Sequence, residues 1–169
     1  MCTKRTLRKL ECVKRTSAYG VQVVTIEPAA DLPDQVFSAN CGLVRGRSVY
    51  LSSYAHPERR PERAHYERWF RAHGFRVAGV AGGEGANEGL AFEGTGDALF
   101  AGTTLVGGHG FRTSPAVYAH VLQHLNAVPA DEEASGAGRG PVNLVSVELV
   151  DKRFYHLDTC ALLYFLSCL

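Results

Sequence analysis

The chain has 169 residues, a formal net charge of +1 and 46% hydrophobic residues, which is enough apolar material for the core of one globular domain. Its 18 basic and 17 acidic side chains are interspersed after the first fifteen residues. This pattern excludes intrinsic disorder and a broad cationic surface for nucleic acid or membrane lipid. The expected partner is therefore a small molecule, with no nucleic acid and no membrane.

Cysteine usage and the start of the chain indicate the compartment. Five cysteines, an odd number without a Cys-x-x-Cys pair, fit neither a disulfide framework nor a zinc ribbon and favour a reducing compartment. Residues 1–20 form a basic segment that lacks the apolar stretch of a secretory signal. We expect a cytoplasmic protein, and the basic bias keeps a mitochondrial transit peptide as the alternative.

In the first half of the folded region, short strands precede one helix. Alternating β-branched residues predict a strand at residues 21–28. Two more short strands are predicted at residues 36–39 and 48–53, with glycines between them that suit a hairpin turn. Aromatic residues then recur every three or four positions over residues 66–73, which predicts an amphipathic helix that ends at Gly74.

The second half repeats this pattern. Strands are predicted at residues 75–81 and 98–106, on either side of a glycine-rich stretch. Ser114 as N-cap and Pro115 at the first helical position predict the start of a second helix. The residues that form its apolar face are Val117, Val121, Leu122 and Leu125.

Composition predicts the organisation of the last forty residues. Residues 129–141 have no hydrophobic anchor, which predicts a mobile surface insertion. A strand is predicted at residues 143–149 and an apolar tail at residues 161–169. Strands, helix, strands, helix and strand in that order indicate a mixed α/β domain over residues 21–160, in which each helix covers a small sheet.

Three clusters contain side chains suited to chemistry, and the first is a pair of acids. Residues 92–97 read Phe-Glu-Gly-Thr-Gly-Asp. The glycines allow a tight turn from which Glu93 and Asp97 could both point into one pocket for a cation. An ordinary solvated turn is the alternative.

The second cluster, at residues 154–159, contains a histidine and an acid. If this segment is a strand, His156 and Asp158 share one face, while Tyr155 and Leu157 share the other. An imidazole beside an acid is suited to general acid/base catalysis. The alternative is a half-buried histidine that is satisfied by a backbone carbonyl.

The third cluster is a glycine-rich loop at residues 107–114, which presents Arg112 ahead of a helix N-terminus. The guanidinium and the first helical amides would form a carboxylate-binding corner, although such a loop is also an ordinary turn. His120 and His124 have the spacing of metal ligands, but no acid or cysteine completes a set nearby. We expect no metal and no cofactor.

Five segments occur in a family-specific order. They are residues 32–44, residues 56–59 (His-Pro-Glu-Arg), the Glu93/Asp97 pair, residues 110–113 (Gly-Phe-Arg-Thr) and residues 156–159 (His-Leu-Asp-Thr). Together they resemble the dimethylargininase and arginine dihydrolase branch of the amidinotransferase superfamily. The resemblance implies a pentein fold, a β/α-propeller of ββαβ modules around a central pocket, here as an incomplete ring.

The resemblance also implies an activity in arginine metabolism. It predicts a hydrolase of the guanidino group of arginine or a methylated arginine, acting through a covalent cysteine–amidino intermediate. By position, His156 resembles the general acid/base and Glu93 its acidic partner. The residues that the resemblance places around the substrate are Asp34, Asn40, Arg59, Asp97, Arg112 and Asp158.

Two departures from the family pattern bear on activity. Dimethylargininases carry an acidic pair where this chain has Ala39 and Asn40, which resembles the arginine dihydrolase type. Loss of guanidinium affinity is the other interpretation, since an amide carries no charge. The family nucleophile lies well beyond the His-Leu-Asp-Thr motif, and we expect none in this chain. On a continued strand Cys160 would lie about 13 Å from His156, and Cys168 would be inert in an apolar tail.

Two hypotheses follow. The chain is a fragment of a guanidino-group hydrolase, truncated at both ends and inactive alone, or it is a non-catalytic pentein-like binding module. A metal-dependent hydrolase is a minor third hypothesis. Missing modules would leave open sheet edges, which predicts self-association.

Overall fold

The structure is a computed structural model, and it describes residues 23–78, 90–127 and 140–161. Some expectations concern other parts of the chain. The basic segment at residues 1–20 and most of the predicted insertion and apolar tail lie outside the described residues.

The first module is a three-stranded sheet with one helix. Strands β1 (Gly42–Arg45) and β2 (Ser48–Leu51) pair antiparallel across a turn at Gly46, whose φ of 57° is in the left-handed region. Helix α1 (Glu62–Ala72) leads to β3 (Arg76–Ala78), which pairs parallel to β2. A parallel neighbour needs such a crossover because the chain must return to the same end of the sheet.

The second module has the same plan. Strands β4 (Ala98–Ala101) and β5 (Thr104–His109) are antiparallel, and helix α2 (Val117–Asn126) leads to β6 (Asn143–Glu148), which is parallel to β5. The order within the two sheets is β1-β2-β3 and β4-β5-β6. This repeat confirms a mixed α/β domain with one helix on each small sheet.

Strand β2 is buried along its whole length and takes part in both cores. Because successive side chains of a strand point to opposite faces, Val49 and Leu51 pack with Tyr66 and Phe70 of α1. Tyr50 packs in the second core. The side chains of β5 and α2 in that core are Leu105, Val117, Tyr118, Val121 and Leu125. The buried faces of both helices follow the three- and four-residue spacing seen in the sequence.

The segment before β1 differs from the sequence-based expectation. The described part of residues 21–28 forms no strand. Short 3-10 helices at Pro33–Val36 and Ser38–Cys41 replace the strand predicted at residues 36–39. Phe37, between them, is 56% exposed, so no buried face holds these residues in an extended conformation. The hairpin partner of β2 is therefore β1.

Three other local predictions were wrong. The single strand expected at residues 98–106 is the hairpin of β4 and β5, which turns at Gly102 with a φ of 61°. A 3-10 helix, Leu157–Thr159, replaces the strand expected in the second cluster, because the amide of Leu157 donates to Asp97 and the amide of Cys160 to the carbonyl of Leu157 rather than to a neighbouring strand. Ser114 does not cap α2 through its side chain, since its hydroxyl accepts the amide of Ala91 instead.

The packing of β5 against α2 can be tested at Gly107. A Cβ there would lie 2.6 Å from the Tyr118 ring. The ring is fixed because its hydroxyl donates to the carbonyls of Asp97 and Gly108 at 2.9 and 2.8 Å. We expect Gly107→Ala to lower the free energy of unfolding by about 1–3 kcal/mol in urea denaturation. The control is Val145→Ala at a 51% exposed position of β6, with a change within about 0.5 kcal/mol. Equal effects of the two substitutions would contradict this packing.

Candidate active site

Six of the eight predicted site residues line one cavity. Its volume is about 540 Å³, and its walls come from loops that are far apart in sequence. The predicted residues in its lining are Asp34, Asn40, Arg59, Arg112, His156 and Asp158. Glu93 and Asp97 are not among the lining residues, but the carboxylate of each contacts the His156 imidazole.

The repeated plan of the fold explains why these loops meet. Arg59 and Arg112 occupy equivalent places, in the connection from the second strand of a module to its helix. Glu93 and His156 are equivalent as well, since each follows the third strand of a module. Within each module the second and third strands are parallel, so the connections that follow them both leave from the carboxyl ends of these strands, on the same side of the sheet. The fold therefore gathers two arginines, a carboxylate and an imidazole.

Glu93 is fully buried and ion-paired. Its Oε2 lies 3.3 Å from His156 Nε2, and both of its oxygens lie 3.2 Å from Arg112 Nη1. Arg59 Nη1 is 3.7 Å from Oε2, and the Ala55 amide donates to Oε1 at 3.3 Å. Burial alone would raise the pKa of Glu93, but the hydrogen bonds and charges of His156 and Arg112 lower it below its usual value. The carboxylate is therefore ionised at neutral pH.

His156 lies between two carboxylates. Its Nδ1 is 3.1 Å from Asp97 Oδ1, and its Nε2 is 3.3 Å from Glu93 Oε2. Burial alone would lower the pKa of His156, but hydrogen bonds to Asp97 and Glu93 raise it from 6.5 to about 9. The ring is therefore an imidazolium at neutral pH. Both of its nitrogens face carboxylates, which differs from a histidine satisfied by a backbone carbonyl.

A carboxylate that was not identified from the sequence holds Arg59. The guanidinium Nε and Nη2 each lie 2.9 Å from one oxygen of Glu62, a residue that is 1% exposed. The remaining Nη1 faces Asn40 Oδ1 at 3.4 Å and Glu93 Oε2 at 3.7 Å. Two signals could have identified Glu62: its i,i+3 spacing from Arg59 and its place in the first turn of α1, where an acid is favoured.

Arg112 contacts the protein's own carboxylate. Its guanidinium carbon lies 5.0 Å from the centre of the Tyr155 ring, while Nη1 donates to Glu93. The corner expected from Arg112 and the first amides of α2 does not form, because the amides of Val117 and Tyr118 donate to backbone carbonyls. The side chain is 20% exposed, so a ligand could still reach it.

The other three lining residues surround His156 and Arg59. Asn40 is 7% exposed, and its Nδ2 lies 3.4 Å from His156 Nε2. The backbone carbonyl of Asp34 accepts Arg59 Nη2 at 3.3 Å. Burial raises the pKa of Asp158, and the nearby charge of Asp97 adds to this, against the opposite effect of His156. His156 and Asp158 both line the cavity, although the segment that contains them is not the strand that the sequence predicted.

Neither cysteine in the described ranges lies in the cavity. Burial raises the pKa of Cys41 to about 12, so this thiol is not ionised at neutral pH. Cys160 follows a 3-10 turn, and its Sγ lies 3.5 Å from the carbonyl of Leu157 and 3.8 Å from that of His156. The wide separation from His156 that was expected on a continued strand is therefore wrong. The other three cysteines, at positions 2, 12 and 168, lie outside the described residues.

Potential metal ligands are dispersed. Within residues 23–78, 90–127 and 140–161, no group of three His, Cys, Asp or Glu side chains could hold a metal ion. His124 instead lies with its Nε2 3.1 Å from the Ser48 hydroxyl. None of the helices in these ranges has the length and apolar character needed to cross a membrane.

The repeated strand-strand-helix-strand module and the histidine held between two carboxylates characterise one class of protein, and solved structures of that class are similar to this chain. No family model matches the sequence. The chain is similar to a substrate-bound mutant of the N-terminal domain of ArgZ, a cyanobacterial arginine dihydrolase, with a TM-score of 0.73 and 36% identity. That match covers 93% of this chain and 51% of the other. The chain belongs to the amidinotransferase/dimethylargininase superfamily and, as the motifs predicted, has a partial pentein fold whose sheets, in the part of the chain that the structure describes, do not close into a ring.

Curated relatives come from both branches of the superfamily. Over 137 residues the chain is 38% identical to the bifunctional arginine dihydrolase/ornithine cyclodeaminase ArgZ of Synechocystis. The matched segment covers 80% of this chain and 16% of ArgZ. Over 140 residues it is 33% identical to the N(G),N(G)-dimethylarginine dimethylaminohydrolase of Mycobacterium tuberculosis, 83% of this chain and 39% of that protein. The chain therefore spans less than half the length of these relatives.

The charge pairing of His156 predicts a pH-dependent stability. Folding raises the pKa of His156 from 6.5 to about 9, so the folded state binds this proton more tightly than the unfolded state does. The resulting stabilisation is complete below pH 6.5 and is lost as the pH rises to about 9, by roughly 3 kcal/mol. Urea denaturation on both sides of this range measures the loss.

The matched control for this titration is another histidine. We expect His156→Gln to remove most of the pH dependence, and His120→Gln, at an exposed position of α2, to keep it. A protein equally stable at both ends of the range would contradict the raised pKa.

Proposed function

We propose that this chain is part of a guanidino-group hydrolase that acts on arginine or a methylated arginine through a covalent cysteine–amidino intermediate. The observation that carries the proposal is the ionised Glu93, which contacts both His156 and Arg112 in the lining of the cavity. A buried carboxylate suits a planar guanidinium cation, and an imidazolium can protonate a leaving amine. Relatives named arginine dihydrolase and dimethylarginine dimethylaminohydrolase support this substrate class.

In the proposed reaction, a cysteine thiolate attacks the guanidinium carbon of the substrate. His156 gives a proton to the departing amine, since its pKa of about 9 keeps it protonated at neutral pH. The neutral imidazole then takes a proton from the water that attacks the amidino intermediate, and the thiolate leaves. Glu93 stabilises the positive charge of the substrate, and Asp158 acts as a second carboxylate for the guanidinium.

The nucleophile is proposed to come from outside the described residues. Cys41 and Cys160 do not line the cavity, and the chain spans 16% of ArgZ and 39% of the mycobacterial enzyme. If the nucleophile is not one of Cys2, Cys12 and Cys168, this chain alone binds its substrate without turning it over.

Asn40 favours arginine over dimethylarginine as the substrate. Its side-chain nitrogen Nδ2 lies 3.4 Å from His156 Nε2 and 3.4 Å from the carbonyl oxygen of Glu93. An asparagine at this position also resembles the arginine dihydrolase type. The chain is also more similar to ArgZ than to the mycobacterial dimethylarginine enzyme, with 38% against 33% identity.

A non-catalytic binding module is the second candidate, because no described cysteine reaches the cavity. Self-association is proposed with either candidate. Strand β6 lies at the edge of the second sheet; Val145 within it is 51% exposed, and Val150, two residues beyond its end, is 84% exposed. An open edge beside exposed apolar side chains favours pairing with another chain.

Arginine binding tests the role of Glu93. We expect Glu93→Gln to weaken binding at least tenfold in isothermal titration calorimetry, because a hydrogen bond to a charged group contributes about 1.5–3 kcal/mol. The control is Glu67→Gln, which removes an acid paired with Arg71 on the surface of α1 and should leave affinity unchanged. Equal affinities of the two variants, with unchanged circular dichroism, would contradict the proposal.

Turnover separates the two candidates. Release of citrulline, ornithine and ammonia from arginine should be absent for this chain and present for a version extended to the length of its relatives. Turnover by this chain that Cys160→Ser abolishes would overturn the proposed source of the nucleophile. Binding without turnover in the extended version would favour the binding module.

We propose that the Arg112 guanidinium releases the Glu93 carboxylate when substrate binds and pairs with the carboxylate of the substrate instead. We expect Arg112→Ala to weaken binding of arginine relative to agmatine, which lacks that carboxylate, by roughly tenfold, as for the loss of one charge-assisted pair. Calorimetry with both ligands gives the ratio directly, and Arg71→Ala on the exposed face of α1 is the control. An unchanged ratio would show that Arg112 does not contact the carboxylate.

A further inference from the structure

Asp97 has a complete set of protein hydrogen-bond donors. Its Oδ1 accepts from His156 Nδ1 and from the Leu157 amide, both at 3.1 Å, and its Oδ2 accepts the Thr113 hydroxyl at 2.6 Å. The residue is 1% exposed and is not part of the cavity lining. Unlike Glu93, whose donor Arg112 is partly exposed, Asp97 is held only by a buried imidazole, a backbone amide and a buried hydroxyl. No ligand can easily displace these donors, so Asp97 is suited to hold its neighbours rather than a ligand.

The hydroxyl of Thr113 fixes the direction of these hydrogen bonds. Its oxygen accepts the backbone amide of Glu93 at 3.2 Å, and its single proton goes to Asp97. Thr113 is 3% exposed, so no solvent competes for either bond. One side chain thus joins the two acidic residues whose carboxylates contact His156.

The backbone around Asp97 is equally constrained. Its carbonyl accepts the Gly108 amide at 2.7 Å and the Tyr118 hydroxyl at 2.9 Å, which ties the turn to β5 and α2. On the other side, a side chain at Gly96 would collide with the Asn40 amide. Asp97 therefore has a fixed position relative to the histidine.

We propose that Asp97, supported by Thr113, is a positioning residue that keeps a proton on His156 Nδ1 and directs Nε2 toward Glu93. This assignment replaces the expectation that Asp97 contacts the substrate. It rests on the proposed role of His156 as the acid/base, and it deepens that role by naming what orients the ring.

The geometry accounts for this division between the two acids. Oδ1 of Asp97 receives both the ring Nδ1 and the next backbone amide, so it fixes the ring and the 3-10 turn together. The other charged groups near the ring are Glu93, Asp158, and the two arginines that reach Glu93. None of these four has a hydrogen bond to Nδ1 among the described contacts. Only Asp97 can therefore select which ring nitrogen faces Glu93.

Nuclear magnetic resonance of the imidazole nitrogens tests the proposal in this chain, without any substrate. Below about pH 9 both ring nitrogens are protonated, so the test is made above pH 9. There we expect Nδ1 of the wild-type protein to stay protonated while Nε2 loses its proton, with signals that His156→Gln removes. We expect Asp97→Asn to lower the pKa of His156 by at least one unit, a tenfold loss of proton affinity, and to change the Nδ1 resonance. The control is Asp158→Asn, which removes a nearby charge without touching Nδ1 and should keep that resonance.

Arginine binding distinguishes positioning from ligand contact. If Asp97 is a positioning residue, Asp97→Asn should change the dissociation constant of arginine less than fivefold. A larger change, or a His156 resonance in Asp97→Asn that matches the wild type, would overturn the proposal. If Asp97→Asn does not fold, a wild-type protein that loses the Nδ1 proton and keeps the Nε2 proton above pH 9 would overturn it equally. If the wild-type chain does not bind arginine, the proposed function fails while the resonance measurement still decides the role of Asp97.

Discussion

The site depends on the balance of charge in a buried cluster. Its three anions and three cations are Glu62, Glu93, Asp97, Arg59, Arg112 and His156. All except Arg112 are more than nine-tenths buried. An unpaired charge in such a place costs several kcal/mol, so each member requires an opposite partner within hydrogen-bond reach. The cluster is therefore neutral before any ligand arrives.

This neutrality limits which ligands can enter. A guanidinium that approaches Glu93 adds a fourth cation to this cluster and competes with the protein's own cations for the Glu93 carboxylate. Arg59 is held by two hydrogen bonds to Glu62, whereas Arg112 is partly exposed and rests on the Tyr155 ring. Arg112 is thus the member that moves most easily. A ligand that also brings a carboxylate would give it a new partner and keep the charges balanced.

The repeated module explains how a short chain assembles such a cluster. Each strand-strand-helix-strand unit sends two connections to the same edge of its sheet. The first unit contributes Arg59 and Glu93, and the second contributes Arg112 and His156. Strand β2, buried on both faces, holds the two units together through Val49 and Tyr50. A change in the packing of β2 would therefore move all four side chains relative to one another.

Local sequence predicted both helices and three of the six strands in the described ranges, β2, β3 and β6. The three- and four-residue spacing on α1 and α2 depends only on neighbours along the chain, and the ordered motifs identified the superfamily. Tertiary contacts decided the rest. Phe37 is exposed, so no buried face holds the segment around it extended, and it forms two 3-10 turns instead of the predicted strand. After β6, the hydrogen bond from the Leu157 amide to Asp97 accompanies a 3-10 turn in place of the predicted strand.

The hydrogen-bond partners were also beyond the reach of the sequence. Asp97 faces Nδ1 of His156, Glu93 faces Nε2, and Arg112 contacts Glu93. These contacts depend on where the tertiary structure places the loops. Asn40 and His156 meet across 116 residues of chain, and such a distance is not encoded in local propensity. The sequence by itself determined which charged residues the protein contains and which turns these residues lie near. Only the packing of the two modules decided which charges are paired, because an ion pair depends on distances of a few ångströms between separate loops.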